Sequence, residues 1–131
     1  MRGKKILIID DDPIILFMHQ GILEDMAPNT QIITLENGAL AQDYILGHSE
    51  EEFLLLLDIN MPVMNGWELL DFLSGCNFHL EVSVLIVTSS VNNSDKVKAS
   101  LYPMVKGMLI KPLNLNSFTH ILKVNEVKNF F

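Results

Sequence analysis

Five short stretches of the chain read as strands from their hydrophobic pattern: residues 5–9, 31–35, 53–57, 82–87 and 108–110. Four of them are nearly continuous apolar runs without polar alternation. Strands of that kind are covered on both faces, which favours a parallel sheet. The segments between them are long enough for crossover helices. Residues 13–26 follow Asp12-Pro13, a capping residue and then proline at the first helical position. Residues 38–46 and 66–73 carry apolar side chains at helical spacing. Asn93 or Ser94 is placed to cap a helix over 95–101, and Asn114 or Asn116 to cap a last helix through Ile121 and Leu122 towards Val127.

Strand and helix thus alternate five times. That order predicts a doubly wound α/β domain of flavodoxin-like type, a five-stranded parallel sheet ordered 2-1-3-4-5. A single domain is expected over residues 1–131, with its core at about 4–123. The tail, EVKNFF, is expected either to fray, to cover the core with its two phenylalanines, or to meet a partner.

Composition narrows the setting. At 131 residues and 49% hydrophobic, the chain is long and apolar enough to bury a core. Its single cysteine, Cys76, excludes a disulfide scaffold and points to a reducing, cytoplasmic setting. The apolar run near the start, Ile6 to Ile9, is too short for a signal peptide, and no stretch approaches the ~18 apolar residues of a membrane span. A net charge of −7 argues against nucleic acid as a direct partner. The charge is uneven: residues 1–65 hold 3 basic and 11 acidic side chains, residues 66–131 hold 6 and 5. An acid-rich site is therefore expected in the first half.

Functional groups in such sheets gather at the carboxyl ends of the strands. Strand 1 ends in Asp10, Asp11 and Asp12, strand 3 in Asp58, strand 4 in Thr88 and strand 5 in Lys111-Pro112. In a 2-1-3-4-5 order, Asp10, Asp11 and Asp58 share one pocket, with Thr88 beside it and Lys111 reaching in. Two carboxylates ~5 Å apart repel by roughly 3 kcal/mol at an effective dielectric of 20. Three together call for a bound proton or a cation, and hard oxygen ligands suit Mg²⁺, or Mn²⁺ in its place. A lysine at the same spot makes sense where a phosphoryl group must enter. Taken singly, each residue has a plainer reading: a solvated loop or cap, a polar strand end, a turn. Their joint occurrence at four strand ends is what carries weight.

The stretches ILIIDDDP, LLLLDINMPVMNGWELL, VLIVTSS and KGMLIKPL, in that order and spacing, resemble a response-regulator receiver domain of two-component signalling, of the chemotaxis-regulator type. The resemblance runs from about residue 4 to 123. The stretch SLYPMVKGMLIKPL is further similar to small stand-alone bacterial receivers, some of which serve phytochrome-type kinases. The resemblance implies roles. Asp58 would accept a phosphoryl group from a phosphohistidine of a sensor histidine kinase or a histidine phosphotransfer protein. Asp11, Asp58 and the backbone carbonyl of Asn60 would ligate Mg²⁺, with Asp10 acting through a metal-bound water. Lys111 would pair with Asp58 and then with the phosphoryl oxygens, and Thr88 would move to hydrogen-bond them. Pro112 would follow a cis peptide, and Gly66 would permit the turn after the 58–65 loop. Asp12 is read as a cap and not a ligand.

One position departs from the family. Where many receivers carry Tyr or Phe three residues before the lysine, this chain has Met108, with Tyr102 nearby. Asn60 and Ser90, at positions that tune dephosphorylation, are weak as acids or bases, so fast hydrolysis is not expected. The resemblance also implies a downstream protein target, or a homodimer, on helix 4, strand 5 and helix 5, where Lys96, Lys98, Lys106, Met108 and Leu109 make a basic and apolar surface. By its length the chain is expected to be a complete stand-alone regulator. His19, His48, His79 and His120 lack metal spacing, and His19 is expected on the exposed side of helix 1. Two other classes compete. A phosphorylation-independent pseudo-receiver would usually have lost part of the acid set, Thr88 or Lys111. An Asp-nucleophile phosphohydrolase of the haloacid-dehalogenase type wants a second Asp where this chain has Asn60.

Overall fold

A computed structural model describes residues 3–76 and 81–131 of the chain. Its elements run β1 (Lys4–Ile9), α1 (Pro13–Met26), β2 (Gln31–Leu35), α2 (Gly38–Gly47), β3 (Glu52–Leu57), α3 (Gly66–Ser74), β4 (Glu81–Thr88), α4 (Asn93–Ala99) and β5 (Val105–Ile110). All neighbouring strands are parallel, and the sheet order is β2-β1-β3-β4-β5, as the apolar runs predict. His79 lies outside the described residues.

Alternate residues of each central strand face opposite layers. Ile6, Ile8, Leu54, Leu56, Leu85 and Val87 pack with α1 and the C-terminal segment. Leu7, Ile9, Leu55, Leu57, Val84 and Ile86 pack with α2, α3 and α4. Full burial of such side chains stabilises by roughly 1.5–3 kcal/mol each, which is why the three central strands tolerate almost no polar residue. No helix among the described residues is long and apolar enough to cross a membrane.

Three expectations change. The cap of α4 is Asn92, whose side chain accepts from Asp95 N–H at 2.8 Å; neither Asn93 nor Ser94 fills that place. The last helix does not form as one piece. Asn114 caps a 3₁₀ turn over Leu115–Phe118, a second follows at Ile121–Lys123, and one helical turn, α5, spans Asn125–Lys128. Thr119, Ile121, Val124, Asn125 and Asn129 are poor helix formers, and Val124 breaks the run with an extended backbone. The core also continues past residue 123: Val127 and Phe130 are buried, and Phe131 lies 5.8 Å from the Phe118 ring. The Phe130 carbonyl accepts from Thr30 Oγ1 at 2.7 Å, so the tail covers the core.

Candidate functional site

Two hydrogen bonds extend the ladder beyond the strands: Asp10 N–H donates to the Leu35 carbonyl at 3.1 Å, and Asp58 N–H to the Ile9 carbonyl at 2.9 Å. They set Asp10 and Asp58 side by side at the carboxyl edge of β1 and β3. Both side chains are buried, while Asp11 next to them is exposed. One carboxylate oxygen from each of Asp10, Asp11 and Asp58 lies within 4.8 Å of the other two. The three acids thus form one cluster with its open side at Asp11. Asp12 stays outside it: its side chain accepts from Ile14 N–H at 2.9 Å and caps α1.

Lys111 enters from the end of β5. Its Nζ lies 3.0 Å from Asp10 Oδ2 and 3.4 Å from Asp58 Oδ2, so the shorter pairing is with Asp10. Burial by itself would lower the lysine, but the hydrogen bond and charge of Asp10, with Asp58 adding to them, outweigh it and hold the ammonium above its usual value. Lys111 is a fixed cation. The Asp58 carboxyl moves up from its usual value, first because it is buried and next because the Asp10 carboxylate repels it; Lys111 and the Asn60 N–H pull the other way. Asp58 Oδ1 accepts from Asn60 N–H at 3.2 Å, but the buried Oδ2 has no hydrogen bond. What compensates that buried oxygen is the Lys111 ion pair at 3.4 Å.

Thr88 is buried at the end of β4, and its hydroxyl donates to the Ser90 carbonyl at 3.2 Å. Its backbone carbonyl accepts Lys111 N–H at 2.8 Å. The Lys111-Pro112 peptide is cis. Gly66 serves the site differently from the expected turn-maker. Its φ is not positive; a Cβ there would meet the Asp58 carbonyl oxygen at 2.7 Å and Ile59 Cα at 2.9 Å. Glycine is required by close approach. The left-handed residue of the loop is Val63, with φ 72°.

Sequence reasoning missed His19. It is buried, not exposed, and its Nε2 accepts the Leu113 N–H at 3.0 Å. The signal was present: Leu16, His19 and Leu23 stand at i, i+3 and i+7 on the core-facing stripe of α1. The expected partner surface also shrinks. Lys96 and Lys98 are exposed, but Leu109 is buried and Met108 half-buried against the core. Val97, Leu101 and Ile110 are the exposed apolar side chains of α4 and β5 and the turn between them.

The donor set fits a hard divalent cation. The three acids offer carboxylate oxygens, one of them buried without a hydrogen bond, and an exposed side at Asp11 that leaves positions for water.

Comparison with known proteins agrees with this geometry. The response regulator receiver domain family matches residues 6–123. An uncharacterised response regulatory protein of Staphylococcus epidermidis is 31% identical over 125 residues, covering 92% of this chain and 45% of that protein. The nitrate/nitrite response regulator protein NarL of Escherichia coli is 37% identical over 112 residues, covering 82% of this chain and 48% of that protein. The chain therefore spans about half the length of these curated relatives. A solved two-component response regulator from Cytophaga hutchinsonii is 28% identical with a TM-score of 0.78, covering 98% of this chain and 99% of that one. The solved bacteriophytochrome response regulator RtBRR is also 28% identical, with a TM-score of 0.77, covering 92% and 76%. With the acid cluster, the lysine and the sheet order in place, this chain belongs to the response regulator receiver domains of two-component systems.

Proposed function

We propose that the chain is a phosphorylation switch that accepts a phosphoryl group on Asp58 from a phosphohistidine of a sensor histidine kinase or a histidine phosphotransfer protein. The observation that carries this is the Asp58 Oδ2 atom, buried and without a hydrogen bond, facing a fixed Lys111 cation at 3.4 Å. A carboxylate oxygen so placed is desolvated and available as a nucleophile. It attacks phosphorus, an O–P bond forms, the P–N bond to the donor imidazole breaks, and the imidazole leaves with the bonding pair. Lys111 moves its charge from the carboxylates to the phosphoryl oxygens. Thr88 releases the Ser90 carbonyl and turns its hydroxyl to the same oxygens.

Asp11, Asp58 and the Asn60 carbonyl would hold Mg²⁺ or Mn²⁺, with Asp10 acting through a water. The ion supplies charge neutralisation for the incoming phosphoryl group. Movement of Thr88 repacks the end of β4 against α4 and β5, where Lys96, Lys98, Val97 and Leu101 are exposed to a protein target or a second copy of the chain. The similarity to a bacteriophytochrome response regulator makes a phytochrome-type kinase the first donor to test. Intact mass after incubation with phosphoramidate tests the reading. A gain of one phosphoryl group that needs Mg²⁺ and is absent in Asp58→Asn supports it; an equal gain in the variant overturns it.

A further inference from the structure

We infer that His19 is a positioning residue for Lys111, anchoring from α1 the segment that presents the lysine to Asp10 and Asp58. The inference rests on the phosphoacceptor reading for its functional consequence, though not for its structural content. His19 is only 1% exposed and stands between Leu16 and Leu23 on the core-facing stripe of α1. An apolar side chain would fill that place without the desolvation cost of an imidazole. What the imidazole adds is an acceptor. Leu113 is buried, and its N–H is directed at His19 Nε2 across 94 residues of sequence. The ladder of β5 ends with the bond from Lys111 N–H to the Thr88 carbonyl, so Leu113 N–H lies beyond the reach of the sheet. Buried N–H groups need a partner, and α1 supplies this one.

Lys111 is therefore bracketed. On one side β4 holds its own N–H; on the other, α1 holds the N–H two residues on. The helix that supplies the anchor is capped by Asp12, whose N–H donates to Asp10 Oδ1 at 2.9 Å. The anchor thus ties the lysine segment to the element that follows the acids. Accepting at Nε2 requires that ring nitrogen to be unprotonated, so the neutral ring carries its proton on Nδ1. Burial, and to a lesser degree the Lys111 cation, hold the imidazole below its usual value against the pull of Asp10, in keeping with a neutral acceptor.

The test compares wild type with His19→Leu, which fills the stripe without an acceptor, with His19→Met, whose thioether is only a weak one, and with His19→Gln, whose amide oxygen can accept in place of Nε2. Two readouts are taken on folded protein: the rate of phosphorylation by phosphoramidate at saturating Mg²⁺, and the ε-carbon resonance of Lys111 in lysine-labelled protein, assigned with Lys111→Arg. The expected result is a rate about tenfold lower in the Leu and Met variants, less than the ~10²-fold of a full misplacement because Asp10 and Asp58 still pair with the lysine. His19→Gln restores it to within about twofold, and the Lys111 resonance shifts and returns in parallel. Equal rates in all four proteins, or a slow His19→Gln with the wild-type Lys111 resonance, overturn the inference. If wild type takes up no phosphoryl group, the phosphoacceptor reading fails, and the Lys111 resonance alone decides whether His19 positions the lysine.

Discussion

At the residue scale, the electrostatics of Asp58 set a sign that stability measurements read directly. Its carboxyl is raised by burial first and by Asp10 second. The folded chain therefore holds that proton more tightly than the unfolded chain. The resulting stability is fully present below the unfolded value near 3.8 and is lost as pH rises through the folded value. Asp58→Asn removes the loss. Urea denaturation of the metal-free protein at neutral pH is expected to show Asp58→Asn more stable than wild type, by on the order of 1 kcal/mol, with the gap closing in acid. Magnesium, bound as proposed, would act on the same acids in the opposite sense, because it needs them ionised. At about ten times its Kd it should stabilise wild type by about 1.4 kcal/mol. A chelator should reverse the effect and Asp11→Asn should abolish it, both followed by thermal unfolding.

Val63 in the loop and Gly66 at the start of α3 behave oppositely. Val63 is exposed and β-branched yet has φ 72°, where a side chain costs about 1–2 kcal/mol. Val63→Gly should raise stability by ~1 kcal/mol after its own entropic cost. Gly66→Ala meets two backbone atoms under 3.0 Å away and should lose ~2 kcal/mol. Chemical denaturation of both variants checks the pair.

At the element scale, α3 and α4 are joined by a polar and aromatic contact. Trp67 stacks on Tyr102 with centroids 6.0 Å apart, and Lys98 Nζ lies 4.6 Å from the Trp67 ring centroid. The Tyr102 hydroxyl donates to Asp71 Oδ1. That hydrogen bond, more than burial, pushes the Tyr102 phenol up to about 12. Tyr102 should therefore ionise late in an ultraviolet titration, and Asp71→Asn should bring it back towards 10. The sign for stability follows: the contribution is intact below about 10 and is lost as pH rises to about 12.

What the sequence disclosed at this scale depended on how local the signal was. Runs such as FLLLL, the Asp12-Pro13 start and the acids at strand ends are read from neighbours a few residues apart, and each stands where it was expected. The burial of Leu109 depends on contacts formed only in the folded chain, whereas the Asn92 cap and the breaks after Phe118 are local: Asn92, Asn93 and Ser94 are all capping residue types, and weak helix formers follow Phe118. His19 shows both sides. Its helical spacing with Leu16 and Leu23 was legible, but its partner, Leu113, is 94 residues away.

At the scale of the whole molecule, the acids from one half of the chain meet the lysine and threonine from the other because the parallel sheet brings every strand's carboxyl end to one edge. The central claim is that this edge makes Asp58 the phosphoacceptor. An acyl phosphate is reduced by borohydride to an alcohol, which converts a phosphorylated aspartate to homoserine. Peptide sequencing by mass spectrometry after phosphoramidate, Mg²⁺ and borohydride then locates the site. Homoserine at position 58, and at neither Asp10 nor Asp11, is the expected result; homoserine at another acid, or none where intact mass shows a phosphoryl group, would contradict it.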